Sequence, residues 1–135
     1  NTAAVVAGLK EIKCKTKKLM LHGYDDDAPT EDPLHVYGSD REKILSMGKS
    51  EDNNSLSEKF YISKNTILWG VQREMAIHLE DILARRMRCL FLDAKETSRI
   101  APIVTEIMAT ALQKDKNWIV KELKQFKTIT QNYIL

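Results

Sequence analysis

The sequence is poor in cysteine, glycine and proline, and it contains no long apolar run. Its 135 residues include two cysteines, five glycines and three prolines. Cys14 and Cys89 lie far apart and outside any CxxC spacing, which argues against a disulfide framework or a zinc knuckle and is typical of a reducing compartment. No stretch approaches the roughly 18 consecutive apolar residues that a membrane-spanning helix requires. The length suits one domain.

The motifs of cofactor, nucleotide and nucleophile sites are also missing. None of the five glycines lies in GxGxxG, a Walker loop or GxSxG. His22, His35 and His78 have no zinc-ligand spacing, and the acidic run 25–27 lacks the alternating acids and central glycine of a calcium loop. We therefore predict no catalytic, cofactor-binding or metal-binding residue, and we interpret His78 as a surface or partly buried histidine.

What the sequence does contain is typical of a folded domain, with charge distributed unevenly along it. Apolar residues make up 43% and charged residues 30%, and the net charge is +2. Residues 1–24 carry +4, residues 25–58 carry −7 and residues 59–135 carry +5. This layout indicates an acidic, loop-rich region between two more basic parts, and it gives no strong overall attraction to nucleic acid.

Helix signals dominate the first half of the chain, although they are short. Residues 3–9 are compatible with a helix that stops at Gly8, and residues 17–24 are read as extended. The sequence SDRE, from Ser39 to Glu42, matches a capping box before a short helix that buries Ile44 and Leu45. Residues 48–58 form a polar loop.

The second half shows apolar side chains at helical spacing, so the predicted class is all-α: a small multi-helix bundle with an extended N-terminal segment and loops. Ser63, Asp93 and Asp115 are the expected N-caps, and Pro102 predicts a kink or a late helix start. The expected core faces are Ile67, Leu68, Val71, Met75, Leu79, Ile82, Leu83, Met87 and Leu90; then Thr97, Ala101, Val104, Met108 and Ala111; then Ile119, Leu123, Phe126, Thr130 and Tyr133.

The stretch EMAIHLEDILARRMRCLFLD, residues 74–93, places many charges in an apolar segment. Asp81 and Arg85 have the favourable helical order, but an exposed pair contributes only a few tenths of a kcal/mol, so stability alone does not explain the cluster. Trp69 and Phe91 are expected in the core, which leaves no stacking surface for nucleic acid. We interpret the stretch as a structural helix, with a possible bend near Ile77, whose charges hold neighbouring elements. The structural or docking candidates are Arg73, Glu74, Glu80, Asp81, Arg85, Arg86, Arg88 and Asp93.

Four motifs together resemble the C-terminal domain of FAD-dependent glycerol-3-phosphate dehydrogenases. They are LHGY (21–24), VYGSD (36–40), ILWGVQREMA (67–76) and LEDILARRMRCLFLDAK (79–95). The family typically has alanine where this chain has Gly70, and it often has glutamate in the first turn after Ser63. The glycine should weaken its helix by up to about 1 kcal/mol.

The resemblance implies a non-catalytic domain. Such enzymes oxidise sn-glycerol 3-phosphate to dihydroxyacetone phosphate and pass electrons through FAD, usually to a membrane quinone; the flavin fold and the catalytic groups precede this domain. Residues 1–24 would be a helix tail and linker from the flavin domain, and residues 25–135 the helical C-terminal domain. The partners implied are the upstream flavin and substrate domains, with no nucleic acid and no direct membrane contact. The implied location is the cytoplasm or the cytoplasmic face of the membrane.

A second interpretation stays open on the residues alone. A stand-alone helical module binding nucleic acid or a partner helix could use the basic C-terminal half, and salt-dependent binding to DNA or RNA would identify it. A small hydrolase is a third, but it would need a clustered acid, base or nucleophile.

Overall fold

The computed structural model describes residues 2–10 and 14–134, with only the backbone for residue 4. The chain divides into two compact units, Asn1–Ser39 and Asp40–Leu135. The all-α prediction is confirmed: in the described part every regular element is helical, and Ser55 and Ser63 form an isolated antiparallel bridge. Within these described ranges, no helix is long and apolar enough to span a lipid bilayer.

The first unit contains helix α1 (Thr2–Val6) and a short 3-10 turn, Thr16–Lys18. Gly8 is left-handed, with φ 64°, so the predicted helix stop is confirmed. The extended reading of 17–24 is wrong at both ends, because the 3-10 turn includes residues 17 and 18 and a second turn lies at residues 22–23. Gly38 has φ 47° inside the 3-10 element His35–Asp40. A Cβ there would lie 1.8 Å from a backbone carbonyl oxygen, so only glycine fits.

In the second unit, the longest helices pack side by side around one core. Helix α3 packs on α5, and α5 packs on α6. The shared core contains Ile62, Ile67, Leu79, Ile82, Leu83, Ile100, Val104, Met108 and Phe126. In order, the elements are α2 (Arg41–Leu45), a 3-10 turn (Ser50–Asn53), α3 (Lys64–Arg73), a π-helix (Asp81–Arg86), α4 (Cys89–Leu92), α5 (Ala94–Ala111) and α6 (Lys116–Thr130).

Three of the four predicted N-caps are confirmed. The side chains of Ser63, Asp93 and Asp115 each accept the backbone N–H three residues ahead, at 3.2, 2.8 and 2.9 Å. The capping box at Ser39 is wrong: the N-cap of α2 is Asp40, and that side chain makes no capping hydrogen bond. The chain reaches Ser39 from the kinked 3-10 element, so the helical backbone begins one residue later than predicted.

The proline in α5 neither delays nor ends the helix. Of the two predicted effects of Pro102, a kink or a late start, the late start is wrong, because α5 begins directly after its Asp93 cap and runs through the proline. Pro102 itself is exposed, and its ring lacks the N–H that would have bonded the backbone oxygen of Ser98 one turn earlier. Thr97, Ala101, Val104 and Met108 are buried as predicted, while Ala111 is only half-buried.

Three predicted core residues lie on the surface instead. Met75 is 83% exposed, Phe91 57% and Tyr133 48%. The Phe91 and Tyr133 rings contact each other edge to face, with centroids 5.5 Å apart. Trp69 is buried as predicted, and Cys89 is buried as well. Burial and the resulting desolvation raise the pKa of the Cys89 thiol to about 12, so it is not a reactive thiolate.

Gly70 is required by close packing and is therefore more than a weak point in α3. A Cβ at this position would lie 2.5 Å from Ile82 Cδ1 of the π-helix and 3.9 Å from the Cβ of Ala76. Ile82 is fully buried, so its side chain has little room to move away. The missing Cβ lets the π-helix approach α3.

We predict that Gly70→Ala destabilises the chain by about 1 kcal/mol, because overpacking exceeds the helix-propensity gain of alanine. Ile82→Val removes the Cδ1 atom in question. On that background Gly70→Ala should be neutral or stabilising by up to about 1 kcal/mol. Urea unfolding of the four proteins measures the coupling, and an equal cost of Gly70→Ala on both backgrounds would contradict the packing argument.

Candidate functional site

Residues 74–93 connect α3 to α5, and we call them the junction segment. The prediction of one structural helix here is wrong. The segment contains a loop, the π-helix and the single-turn α4. Met75 has φ 56° and Arg88 has φ 57°, and each left-handed residue interrupts the helical path. The bend considered near Ile77 is therefore real, and a second one lies at Arg88.

A carboxylate closes the loop onto the π-helix. Asp81 Oδ2 accepts the backbone N–H of Ile77 at 3.1 Å and that of His78 at 2.9 Å. Its Oδ1 accepts from Arg85 at 2.6 Å. Burial opposes ionisation of Asp81, but these two N–H groups and the guanidinium outweigh it and lower the pKa of Asp81. The residue is therefore an ionised internal cap.

The Arg86 guanidinium joins the two ends of the loop. It donates to the backbone oxygen of Glu74 and, at 3.2 Å, to that of Asp81. Its Nε lies 3.3 Å from the Glu74 carboxylate. A planar guanidinium suits this use because it offers several donors in a fixed geometry. Arg86 thus holds the end of α3 against the π-helix.

The buried acid Glu122, on α6, completes the loop contacts, and it was not among the predicted residues. It is 4% exposed. Oε1 lies 2.9 Å from His78 Nδ1, and Oε2 accepts the backbone N–H of Leu79 at 2.9 Å. A signal existed in the sequence: Glu122 lies three residues after Ile119 and four before Phe126, within the apolar stripe of α6. From the sequence, His78 is interpreted only as a surface or partly buried histidine, with no partner assigned.

A cavity of about 480 Å³ lies beside this contact, lined by His78, Glu80, Glu122, Gln125, Phe126, Thr128 and Ile129. Both Glu122 oxygens already have partners, and Glu80 pairs with Arg85 at 2.9 Å. Among the described residues, no group of three or more histidine, cysteine or acidic side chains has the arrangement of a metal site. The Glu122 and Glu80 carboxylates of this cavity are thus engaged in contacts that stabilise the loop.

A second polar cluster lies where the chain enters α5. Asp93 caps α5 and pairs with Lys59 at 2.5 Å. Glu96 accepts two hydrogen bonds from Arg99, at 2.7 and 2.8 Å, and one from Ser57 at 2.6 Å. The Arg99 bonds, followed by that of Ser57, lower the pKa of Glu96 to about 2. This cluster attaches the loop around residue 57 to α5.

The structure sorts the eight predicted docking candidates into two groups. Six make internal contacts: Glu74, Glu80, Asp81, Arg85, Arg86 and Asp93. Arg73 and Arg88 are exposed, and within the described residues neither has an ion-pair partner. Most charges of the junction segment thus stabilise the segment itself. Arg73 and Arg88 remain available for contact with another surface.

Comparisons with known proteins place this architecture. Residues 14–118 match the family described as the C-terminal domain of alpha-glycerophosphate oxidase. A protein of Dictyostelium discoideum named "Probable glycerol-3-phosphate dehydrogenase, mitochondrial" is 30% identical over 101 residues. That similarity covers 74% of this chain and only 15% of the relative. No solved structure matches the chain.

The two neighbouring arginines should differ in their effect on stability. Arg86→Ala removes the bonds that join the loop ends and should lower the free energy of unfolding by about 2 kcal/mol. Arg85→Ala removes an exposed guanidinium bound to acids of its own helix and should cost less than about 1 kcal/mol. Chemical denaturation measures both, and Arg85→Ala is the matched control. Equal losses would refute the specific role of Arg86.

The Glu96 cluster predicts a defined acid sensitivity. The folded-state pKa of the Glu96 carboxyl, about 2, lies below the ordinary value of 4.5. The stabilisation that the ionised Glu96 gives to the folded state is therefore present above pH 4.5 and disappears as the pH falls from 4.5 towards 2. Glu96→Gln should melt lower than the parent at neutral pH and lose less Tm across that interval. Glu106→Gln, at an exposed position of α5, should keep the parent's slope. Parallel acid slopes for Glu96→Gln and the parent would count against this assignment.

Proposed function

We propose that this chain, which belongs to the family of C-terminal domains of alpha-glycerophosphate oxidase, is the non-catalytic helical part of an FAD-dependent enzyme. That enzyme oxidises sn-glycerol 3-phosphate to dihydroxyacetone phosphate. The observation that carries the proposal is the family match over residues 14–118. The relative, most of whose length lies outside the matched region, supports the idea of a larger parent chain.

The described residues do not fit an FAD cradle of the dinucleotide-binding type. Such a cradle needs a strand, a glycine-rich turn and a helix in succession. In the described ranges the regular elements are helices, and the glycines near them serve packing or turns. We therefore assign FAD and the reacting groups to upstream domains, and we route no chemical step through this chain.

The internal use of charge supports an architectural role. Asp81, Arg86 and Glu122 stabilise a loop, and each of these side chains is engaged in that contact. The partners we propose are the upstream flavin and substrate domains, with Arg73 and Arg88 as the exposed charged candidates for that contact. The comparisons give no support to the nucleic-acid-binding alternative.

We propose a location in the cytoplasm or at the cytoplasmic face of a membrane, as the sequence resemblance implies. The Dictyostelium relative is itself named as a mitochondrial protein. The boundary at residues 24 and 25, between a linker and the C-terminal domain, also stays a prediction.

The test compares the full-length gene product with residues 1–135 alone. The full-length protein should purify with bound FAD and reduce an artificial electron acceptor when sn-glycerol 3-phosphate is added. Glycerol, which lacks the phosphate, is the control substrate and should be inert. Residues 1–135 alone should show no flavin absorbance and no turnover. A full-length protein without flavin or glycerol 3-phosphate oxidation would overturn the proposal, as would activity in the isolated piece.

A further inference from the structure

The loop at the start of the junction segment presents two apolar side chains to solvent. Met75 is 83% exposed and Ile77 is 56% exposed. We call this pair the apolar tip. Met75 also has a left-handed backbone, with φ 56°, a conformation that a methionine adopts only at a cost. The chain thus exposes a large apolar residue in a strained position.

The strain persists because the residues around the tip are held on several sides. Ala76, between the two exposed residues, is fully buried, and its N–H donates to the oxygen of Gly70 at 2.9 Å. The Ile77 N–H is bonded to the Asp81 carboxylate. Arg86 fixes the preceding residue, Glu74, by its backbone oxygen. The loop is therefore ordered before any partner arrives.

A strained, preordered loop with an exposed apolar tip is typical of a binding element. Backbone outliers that the surroundings hold in place cluster at such sites. Preorder lowers the entropy lost on binding. A solvated loop with no partner would gain nothing from an exposed methionine at a left-handed position, where asparagine or glycine is the usual choice.

We propose that the apolar tip inserts into an apolar recess on the flavin-bearing upstream part of the same polypeptide. This rests on the proposed function, because it needs a parent chain that carries that part. A longer parent chain agrees with the Dictyostelium relative, of whose length only 15% is matched. The unpaired Arg73, two residues before Met75, adds a positive charge at the edge of the contact.

The size of the tip favours a partner within the same chain over a second copy. A stable interface between separate proteins buries roughly 800 Å² on each partner, and two side chains supply only a fraction of that. Within one polypeptide the effective concentration reaches the millimolar range, so a small contact suffices. The tip therefore suits an intramolecular surface.

Methionine oxidation in the full-length protein tests this without any mutation. Hydrogen peroxide converts an accessible methionine to its sulfoxide, and peptide mass spectrometry follows each site. Met20, which is 73% exposed, and the fully buried Met108 are internal references. The same protein unfolded in urea gives the unprotected rate of each methionine. We expect Met75 to react at least about tenfold more slowly in the folded full-length protein than in urea, approaching Met108.

Oxidation of Met75 at its unprotected rate in the folded full-length protein would overturn the proposal. Protection that disappears on dilution to the monomer would also overturn it, because a second copy would then cover the tip. Glycerol 3-phosphate oxidation and bound flavin, measured on the same sample, report on the proposed function separately. An active flavoprotein with a reactive Met75 would reject the docking surface and leave that function standing.

A variant pair gives an independent check in the full-length protein. Met75→Asn suits the left-handed backbone but removes the apolar side chain, so it should lower the denaturant midpoint of unfolding if docking buries Met75, and keep or raise that midpoint if Met75 is solvated. Val120→Ala, at an exposed apolar position on α6, should leave the midpoint unchanged. An unchanged or higher midpoint for Met75→Asn would count against the tip as an interface.

Discussion

The ionised carboxylate of Asp81 is the contact on which the junction segment depends. By accepting the N–H groups of Ile77 and His78, it ends the loop and starts the π-helix at one point. The π-helix then directs Ile82, Leu83 and Ala84 into the core. The N–H of Met87 reaches the oxygen of Ile82, five residues back, at 2.9 Å, which is the mark of this wider turn.

Arg86 and Glu122 hold the same loop in place through contacts at its two ends. Arg86 bonds the end of α3, and Glu122 bonds the backbone just after the loop from the far helix α6. Charged hydrogen bonds of this kind are strong when partly buried, and removing one partner leaves the other unsatisfied. The charged side chains crowded into this apolar segment thus bond backbone groups that its irregular path leaves without helical partners. The proposed architectural role rests on this rigid arrangement.

Sequence reasoning succeeded where short-range chemistry decides the outcome. Ser63, Asp93 and Asp115 cap helices because their side chains reach an N–H three residues away, and this depends only on neighbours. The apolar spacing likewise identified Leu79, Ile82 and Met108 as core. It failed at the junction segment, because a periodic pattern cannot reveal two left-handed residues within it. The partner of His78 was missed for a related reason, since Glu122 is 44 residues away in the chain.

The amino-acid sequence by itself determined the all-α class, most helix starts, the family resemblance and the absence of the usual catalytic motifs, since each is encoded in local residue types and spacings. Only the tertiary structure decided which charged side chains pair, that the missing Cβ of Gly70 lets the π-helix approach α3, and that Met75 faces solvent. Those outcomes depend on contacts between α3, the π-helix and α6, of which α6 lies far from the other two in the chain. Distant packing can override local helix propensity because burying Ile82 and pairing Glu122 is worth more than one uninterrupted helix.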